Sequence, residues 1–429
     1  MLSVKQYLKR EMMPSLGCTE PVAVALAAAR AYKELGGAKI DSMSVEVSDS
    51  IYKNGMGVGV PGADGRTGND LAAALGAIAG DSRLDMEVLK NVSGADVEQA
   101  LVLLAEGRIS LKCLEDVHGV YILVTIKAGG HAAECRIEGE HNNIVSVRLD
   151  EEQIEGKPAH SMGEDEEDPF LSVEFEQLLK LADMLEDDDI DAIMEGVAMN
   201  REIAGYGLAG GPMSGLGVGS VFTDLFEHTH LNEDMLFKMR AYCSAGSDAR
   251  MAGCSLPVMT VAGSGNQGIT AMLSVAMLAE YYGKNRREIA KAVMVSMLTT
   301  SFVRSLIGRV TPMCGCVVGA GAGAAAGMTY VLNGTLDQIK LAMRTIMSNL
   351  AGIVCDGAKG TCALRVGTAV TEAYLSALMA WHYRGASNEE GLAGMTMERT
   401  ALNVSVLNKE GMRDVDRVII DIMEDRKSK

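Results

Sequence analysis

The sequence predicts an α+β chain. A mixed α/β N-terminal domain over residues 1–170 is followed by a mainly α-helical C-terminal domain over residues 171–429. Three observations predict this. Alternating apolar runs of strand type are confined to the part before about residue 150. An acidic stretch at 150–168 then interrupts the pattern. From Ser172 onward almost every apolar run has helical spacing. A chain of 429 residues is also long enough for two or three domains, each with its own core.

The elements follow in order. Residues 1–14 carry Lys5, Lys9, Arg10 and Glu11 and read as a short amphipathic helix rather than a targeting segment. Residues 17–35 read as a helix, because Pro21 suits a first turn, Val22, Val24 and Leu26 are apolar, and Gly36 and Gly37 end the run. Ile40, Met43, Val45 and Val47 make 39–48 a strand. The Gly-rich stretch 53–69 leads into a helix near Asp70. Further strand-like runs are 109–114, 120–127, 132–137 and 144–149. Past the linker, 172–185, 190–206, 287–306, 336–350 and 366–381 carry helical signals separated by Gly-rich turns.

Composition narrows the partners. Aromatic residues are only 4%, so the core must be built from Ala, Val, Leu, Ile and Met, and small residues let helices approach closely. The net charge of −18 repels phosphate backbones and anionic lipid, so neither nucleic acid nor a membrane is an expected partner. Most of the excess acid lies at 150–168 and 186–191, which read as solvated loops and lack the spacing of a calcium loop. No apolar run reaches the roughly 18 residues that span a bilayer. The nearest, 258–278, is interrupted by Ser264, Asn266 and Gln267. A cytoplasmic location is expected, and a homo-oligomer is left open.

Nine cysteines without a secretory signal argue against a disulfide framework. Cys113, Cys135, Cys243 and Cys254 sit singly and read as small buried hydrophobes. The other five lie in motifs. Cys18, in Gly17-Cys18-Thr19-Glu20-Pro21, stands at a helix start, where free backbone N–H groups and the helix dipole favour a thiolate. Cys314 and Cys316 flank Gly315, and Cys355 and Cys362 bracket a second Gly-containing turn. Turn N–H groups suit a thiolate metal ligand, although the spacing is that of neither a zinc ribbon nor a ferredoxin. Ala262-Gly263-Ser264-Gly265-Asn266-Gln267-Gly268 precedes an apolar run and offers N–H groups to a small anion. Arg250 is a cation that can pair with a carboxylate. The seven histidines show no metal-binding cluster, and all are read as structural or solvated.

Together, Gly17–Pro21, Ser247-Asp248-Ala249-Arg250-Met251, Ser264 to Ile269 and Cys355-Asp356-Gly357-Ala358 resemble the L-cysteine desulfidases. That family is related to the iron–sulfur L-serine dehydratases through their α-chain domain. The resemblance covers nearly the whole chain and is weakest across about 85–190. It implies a [4Fe–4S] cluster and an amino-acid substrate, with β-elimination of L-cysteine to pyruvate, ammonia and sulfide. Carried over by motif, Cys314, Cys355 and Cys362 are the cluster ligands and Cys18 is the general base. Cys316 stands as an alternative to Cys314, and Cys18 as an alternative to Cys362. Arg250, Ser264, Gly265, Asn266 and Gln267 are the expected substrate-binding residues. The competing readings are an iron–sulfur L-serine dehydratase, a non-catalytic metal or redox sensor, and a pyridoxal-dependent lyase using Lys359.

Overall fold

A reciprocal cap at Ser3 starts the first helix: the Ser3 hydroxyl accepts from the Gln6 N–H, and the Gln6 side chain accepts from the Ser3 N–H. The helix so started, α1 (Val4–Glu11), buries Val4, Tyr7 and Leu8. In the computed structural model, which describes residues 2–114, 117–156, 168–229, 234–387 and 390–427, these side chains join the core of the C-terminal helices. The Glu11 carboxylate is fully buried there, accepting from Ser301 Oγ at 2.9 Å and Arg309 Nη2 at 2.6 Å. Strand β1 (Pro14–Leu16) pairs antiparallel with residues 257–259.

The second core forms on helix α2 (Thr19–Glu34), an alanine-rich helix buried on most sides. Strand β2 (Ile40–Val47) follows, then α3 (Asp49–Gly55), α4 (Asn69–Ala79) and α5 (Gly94–Ala105). Five strands complete one sheet: β3 (Ile109–Cys113), β4 (Tyr121–Ala128), β5 (His131–Glu138), β6 (Ile144–Leu149) and β7 (Glu152–Gly156). Their order is β3-β2-β4-β5-β6-β7, antiparallel except for the β2–β3 pair. Val45 lies opposite Val124, and Val124 opposite Cys135. This row faces α2, as period-two alternation requires. Helix α4 crosses α2 at Gly76, where a Cβ would stand 2.6 Å from the Ala25 Cα. Gly76→Ala is therefore expected to destabilise the fold by about 1–3 kcal/mol, read as a fall in melting temperature, because neither backbone can give way.

The remaining elements are almost all helical. They are α6 (Phe175–Leu179), α7 (Asp187–Leu208), α8 (Val218–His228), α9 (Met235–Met251), strand β8 (Pro257–Met259), α10 (Gly265–Gly268) and α11 (Ser274–Tyr281). Then come α12 (Arg286–Ile307), α13 (Gly315–Val331), α14 (Leu336–Leu350), α15 (Cys362–Trp381), α16 (Met397–Val406) and α17 (Val415–Lys427). Helix α13 runs through the middle, flanked by α12, α14 and α15. Its glycines make this close approach possible: a Cβ at Gly323 would fall on Thr300 Oγ1 and the Ser296 carbonyl. Helix α15 ends at Trp381, the only tryptophan in the chain, which is half exposed. Helix α17 returns to the N-terminal half and packs on α3.

The α+β expectation holds, with differences in detail. Residues 172–185 form not one helix but the short α6 and a 3₁₀ turn over Lys180–Met184. Helix α12 is long and apolar enough to cross a membrane, contrary to the expectation that no segment is, and 83% of its apolar window is buried among its neighbours. Residues 157–167 of the acidic stretch lie outside the described residues, as do His160, His230 and the His228 side chain.

Candidate active site

A cavity of about 130 Å³ opens on the seam between the two cores. Cys18, Glu20, Asn54 and His141 reach it from the α/β side. All five cysteines of the sequence motifs line it. Cys113, Cys135, Cys243 and Cys254 do not. Burial pushes the Cys135 thiol up to about 12 and raises Cys243 and Cys254 as well, in keeping with their reading as inert structural thiols.

Cys18 is the N-cap of α2, set there by Gly17 at φ +72°. A side chain at Gly17 would run into Pro61. The Cys18 Sγ–H donates to Glu20 Oε2 at 2.8 Å. Glu20 also accepts from Thr19 Oγ1 at 3.1 Å and Asn54 Nδ2 at 2.7 Å, and its Oε1 lies 3.9 Å from His141 Nε2. Burial, then the Glu20 charge, push the Cys18 thiol well above its ordinary value. Burial alone would raise the Glu20 carboxyl, but His141, the Cys18 hydrogen bond and Arg250 outweigh it and hold it low. Burial pushes His141 down. The resting arrangement is thus a Cys18 thiol on a Glu20 carboxylate. This corrects the expectation of a thiolate at the helix start: dehydration and an adjacent carboxylate outweigh the helix N-terminus.

Arg250 lies in the last turn of α9 and is 2% exposed. Its neighbour Asp248 is taken up by the backbone N–H groups of Leu216 and Val218, at 3.1 and 2.7 Å. Nε and Nη2 of Arg250 therefore have no hydrogen-bond partner. Gly265 does not line the cavity itself. A Cβ there would sit 2.5 Å from Arg250 Nε, so the glycine is what lets the guanidinium lie across the start of α10. Ser264 caps α10, its carbonyl accepting from the Gly268 N–H, and borders the cavity. Asn266 Oδ1 and Gln267 Oε1 are buried without a partner. Buried donors and acceptors left unpaired are costly, and several at one cavity mark a place where a polar ligand completes them.

The thiols are brought together by backbone pairing. The Cys314 N–H donates to the Ile353 carbonyl at 2.9 Å and the Cys355 N–H to the Pro312 carbonyl at 2.7 Å, so two distant turns are stitched side by side. Cys314 is the N-cap of α13, and Cys362 is the first residue of α15. The Cys316 thiol donates to Cys314, which lowers Cys314 to about 7 and pushes Cys316 up. Burial raises Cys355, and raises Cys362 to about 12. Cations surround the group. Arg304 is buried against Gly315, its guanidinium held at about 10 by burial despite the nearby thiols. Arg365 is paired with Asp356, and Lys53 bonds the Cys355 carbonyl.

Among the described residues, no three His, Cys, Asp or Glu side chains are placed to hold a single metal ion. Ligands to the corners of a multi-iron cluster stand further apart than ligands sharing one ion. Soft thiols at two helix N-termini, with the buried cations Arg304 and Lys53 beside them, fit such a cluster in donor type and charge. Lys359 does not line the cavity, and its Nζ donates to the Lys53 carbonyl at 3.1 Å.

Sequence reasoning passed over Glu20, Asn54, His141, Lys53 and Arg304. Glu20 was legible, since a carboxylate in the first helical turn reaches back to its N-cap. His141, read as structural or solvated, sits on a polar turn between β5 and β6 and carries no local signal. The turn is pinned by Asn142 to Asp85 at 2.9 Å.

Comparison with known proteins gives the family of the chain. A family described as serine dehydratase alpha chain matches residues 87–421, a span that contains Arg250 and the four thiols of the C-terminal motifs. A UPF0597 protein of Kosmotoga olearia is 41% identical, covering 99% of each chain. Another from Desulfotalea psychrophila is 39% identical over 100% of this chain and 99% of its own. One from Bacteroides fragilis is 38% identical over 97% and 96%. The chain belongs to the serine dehydratase alpha-chain family.

Proposed function

We propose that the protein is a β-eliminating lyase that converts L-cysteine to pyruvate, ammonia and sulfide, with a [4Fe–4S] cluster held by Cys314, Cys355 and Cys362. One observation carries this reading. A single cavity sets an unpaired guanidinium and two unpaired amide oxygens against a group of thiols. That is a receptor for the carboxylate and ammonium of an amino acid facing a site for iron.

In this reading Arg250 Nε and Nη2 hold the substrate carboxylate. Asn266 Oδ1 and Gln267 Oε1 accept from the ammonium. Cys18 passes its proton to Glu20 across their hydrogen bond, and its sulfur then takes the proton from Cα. The Cα–H electron pair forms the Cα=Cβ bond, and the Cβ–S bond breaks with its electrons on sulfur. The aminoacrylate tautomerises and hydrolyses to pyruvate and ammonia. A cluster held by Cys314, Cys355 and Cys362 would supply Lewis acidity for the departing sulfur, and sulfur suits iron better than a hydroxyl does.

The family match favours a second reading, with L-serine as substrate and water as the leaving group. Anaerobically reconstituted protein distinguishes them. Equal sulfide and pyruvate from L-cysteine, with L-serine inert, is the expected result. Pyruvate from serine alone would make the protein a dehydratase. No product from either, with the cluster bound, would leave a sensor and sink the lyase reading.

A further inference from the structure

Lys53 is a buried lysine that the proposed chemistry does not use. It lies in α3 with 1% of its side chain exposed. Its Nζ donates to the Cys355 carbonyl at 2.8 Å and to Asp416 Oδ1 at 2.6 Å. In return, Lys359 Nζ of the cysteine turn donates to the Lys53 carbonyl at 3.1 Å. The two segments thus clasp each other, Lys53 holding the Cys355 carbonyl and Lys359 the Lys53 carbonyl. Gly357, at φ +93°, lets them touch, since a Cβ there would lie 2.7 Å from the Lys53 carbonyl oxygen. Asp416 comes from α17, the last helix of the chain, and is 8% exposed. A second bond, Tyr52 Oη to Glu424 at 2.9 Å, fastens the same helix to α3.

We propose that Lys53 is a positioning residue for the Cys355 thiol, and that α17 serves the site by anchoring the Lys53 ammonium through Asp416. The assignment of Cys355 as an iron ligand rests on the reading above; the clasp itself does not. The Cys355 N–H is already held by the Pro312 carbonyl, so fixing the Cys355 carbonyl as well holds both peptides around Cys355 and with them the Cα–Cβ direction of the thiol. An ammonium is a strong donor to a carbonyl only while a counter-charge keeps it in place. Without Asp416 a buried cation is left unpaired and tends to swing toward water or lose its proton.

The test uses the full chain without cluster, labelled with iodoacetamide and read cysteine by cysteine by mass spectrometry. Lys53→Met and Asp416→Asn are each expected to change Cys355 labelling roughly tenfold relative to Cys314, the size expected when one hydrogen bond to a charged group is lost. Lys53→Arg is expected to restore the native rate in part. The double variant Lys53→Met with Asp416→Leu removes both charges and guards against misfolding. In reconstituted protein, the same variants are expected to lose iron to a chelator faster than the native chain. Native labelling of Cys355 in the folded double variant would overturn the proposal. So would an equal change at all the site thiols together with a lower melting temperature, since that describes general loosening. If the native chain binds no cluster, the function proposed above fails, while the labelling still reads the clasp.

Discussion

Arg250→Gln is expected to lower kcat/KM for the amino-acid substrate by about a hundredfold or more, with native iron content. The guanidinium is buried, lines the cavity and has two unpaired nitrogens, so a carboxylate bound there would form charge-assisted bonds away from water. Breaking such a pair costs about 2–5 kcal/mol, and each 1.4 kcal/mol is tenfold. Steady-state rates on the amino acid and on its carboxamide check the assignment. The native enzyme should discriminate strongly between them, and the variant weakly. If the variant loses as much on the carboxamide as on the acid, Arg250 is not the carboxylate receptor. Arg250→Lys is not expected to rescue fully, because an ammonium cannot present the planar fork of a guanidinium.

The second large effect is expected at Cys18. Cys18→Ala should lower turnover by about 10²–10⁴-fold, the range for loss of a general acid or base, while iron content and visible absorbance stay native. Loss of the cluster in that variant would instead make Cys18 a ligand. Glu20→Gln should fall in the same range, since the thiol then has no carboxylate to receive its proton. The Glu20 carboxyl is held below its ordinary range, so it stays ionised as pH falls through that range. Activity that depends on Glu20 as acceptor should therefore persist through ordinary carboxylate pH values and fail only below them. A rate–pH profile compared between native protein and Glu20→Gln reads this directly.

Much of the fold was legible because apolar periodicity reports burial. Helices α2, α12 and α14 and strands β2 to β6 were all marked by it. Helix α3 was missed because its sequence, Asp49 to Gly55, looks like a polar turn. Its polarity has another origin: Lys53 and Asn54 are buried to serve Cys355 and Glu20. Strand β7 was missed because it is exposed along its whole length and shows no alternation. The motif residues were legible as thiols and turns, and all five motif thiols meet in one cavity. Their neighbours were not. His141, Lys53 and Arg304 reach the site across distances in sequence that no local pattern encodes. The protonation of Cys18 also escaped sequence reading, because it depends on how deeply α2 is buried.

Helix α15 has a further consequence. Cys362 is its first residue and Trp381 its last. At 1.5 Å per residue, the two ends are about 28 Å apart along a rigid rod. Trp381 is the only indole in the chain, so indole emission has a single source. A chromophore bound at Cys362 that absorbs in the near ultraviolet would drain that emission by dipolar energy transfer, to a degree set by the fixed length of the helix. A chain loaded with such a chromophore would report it through Trp381, without a label.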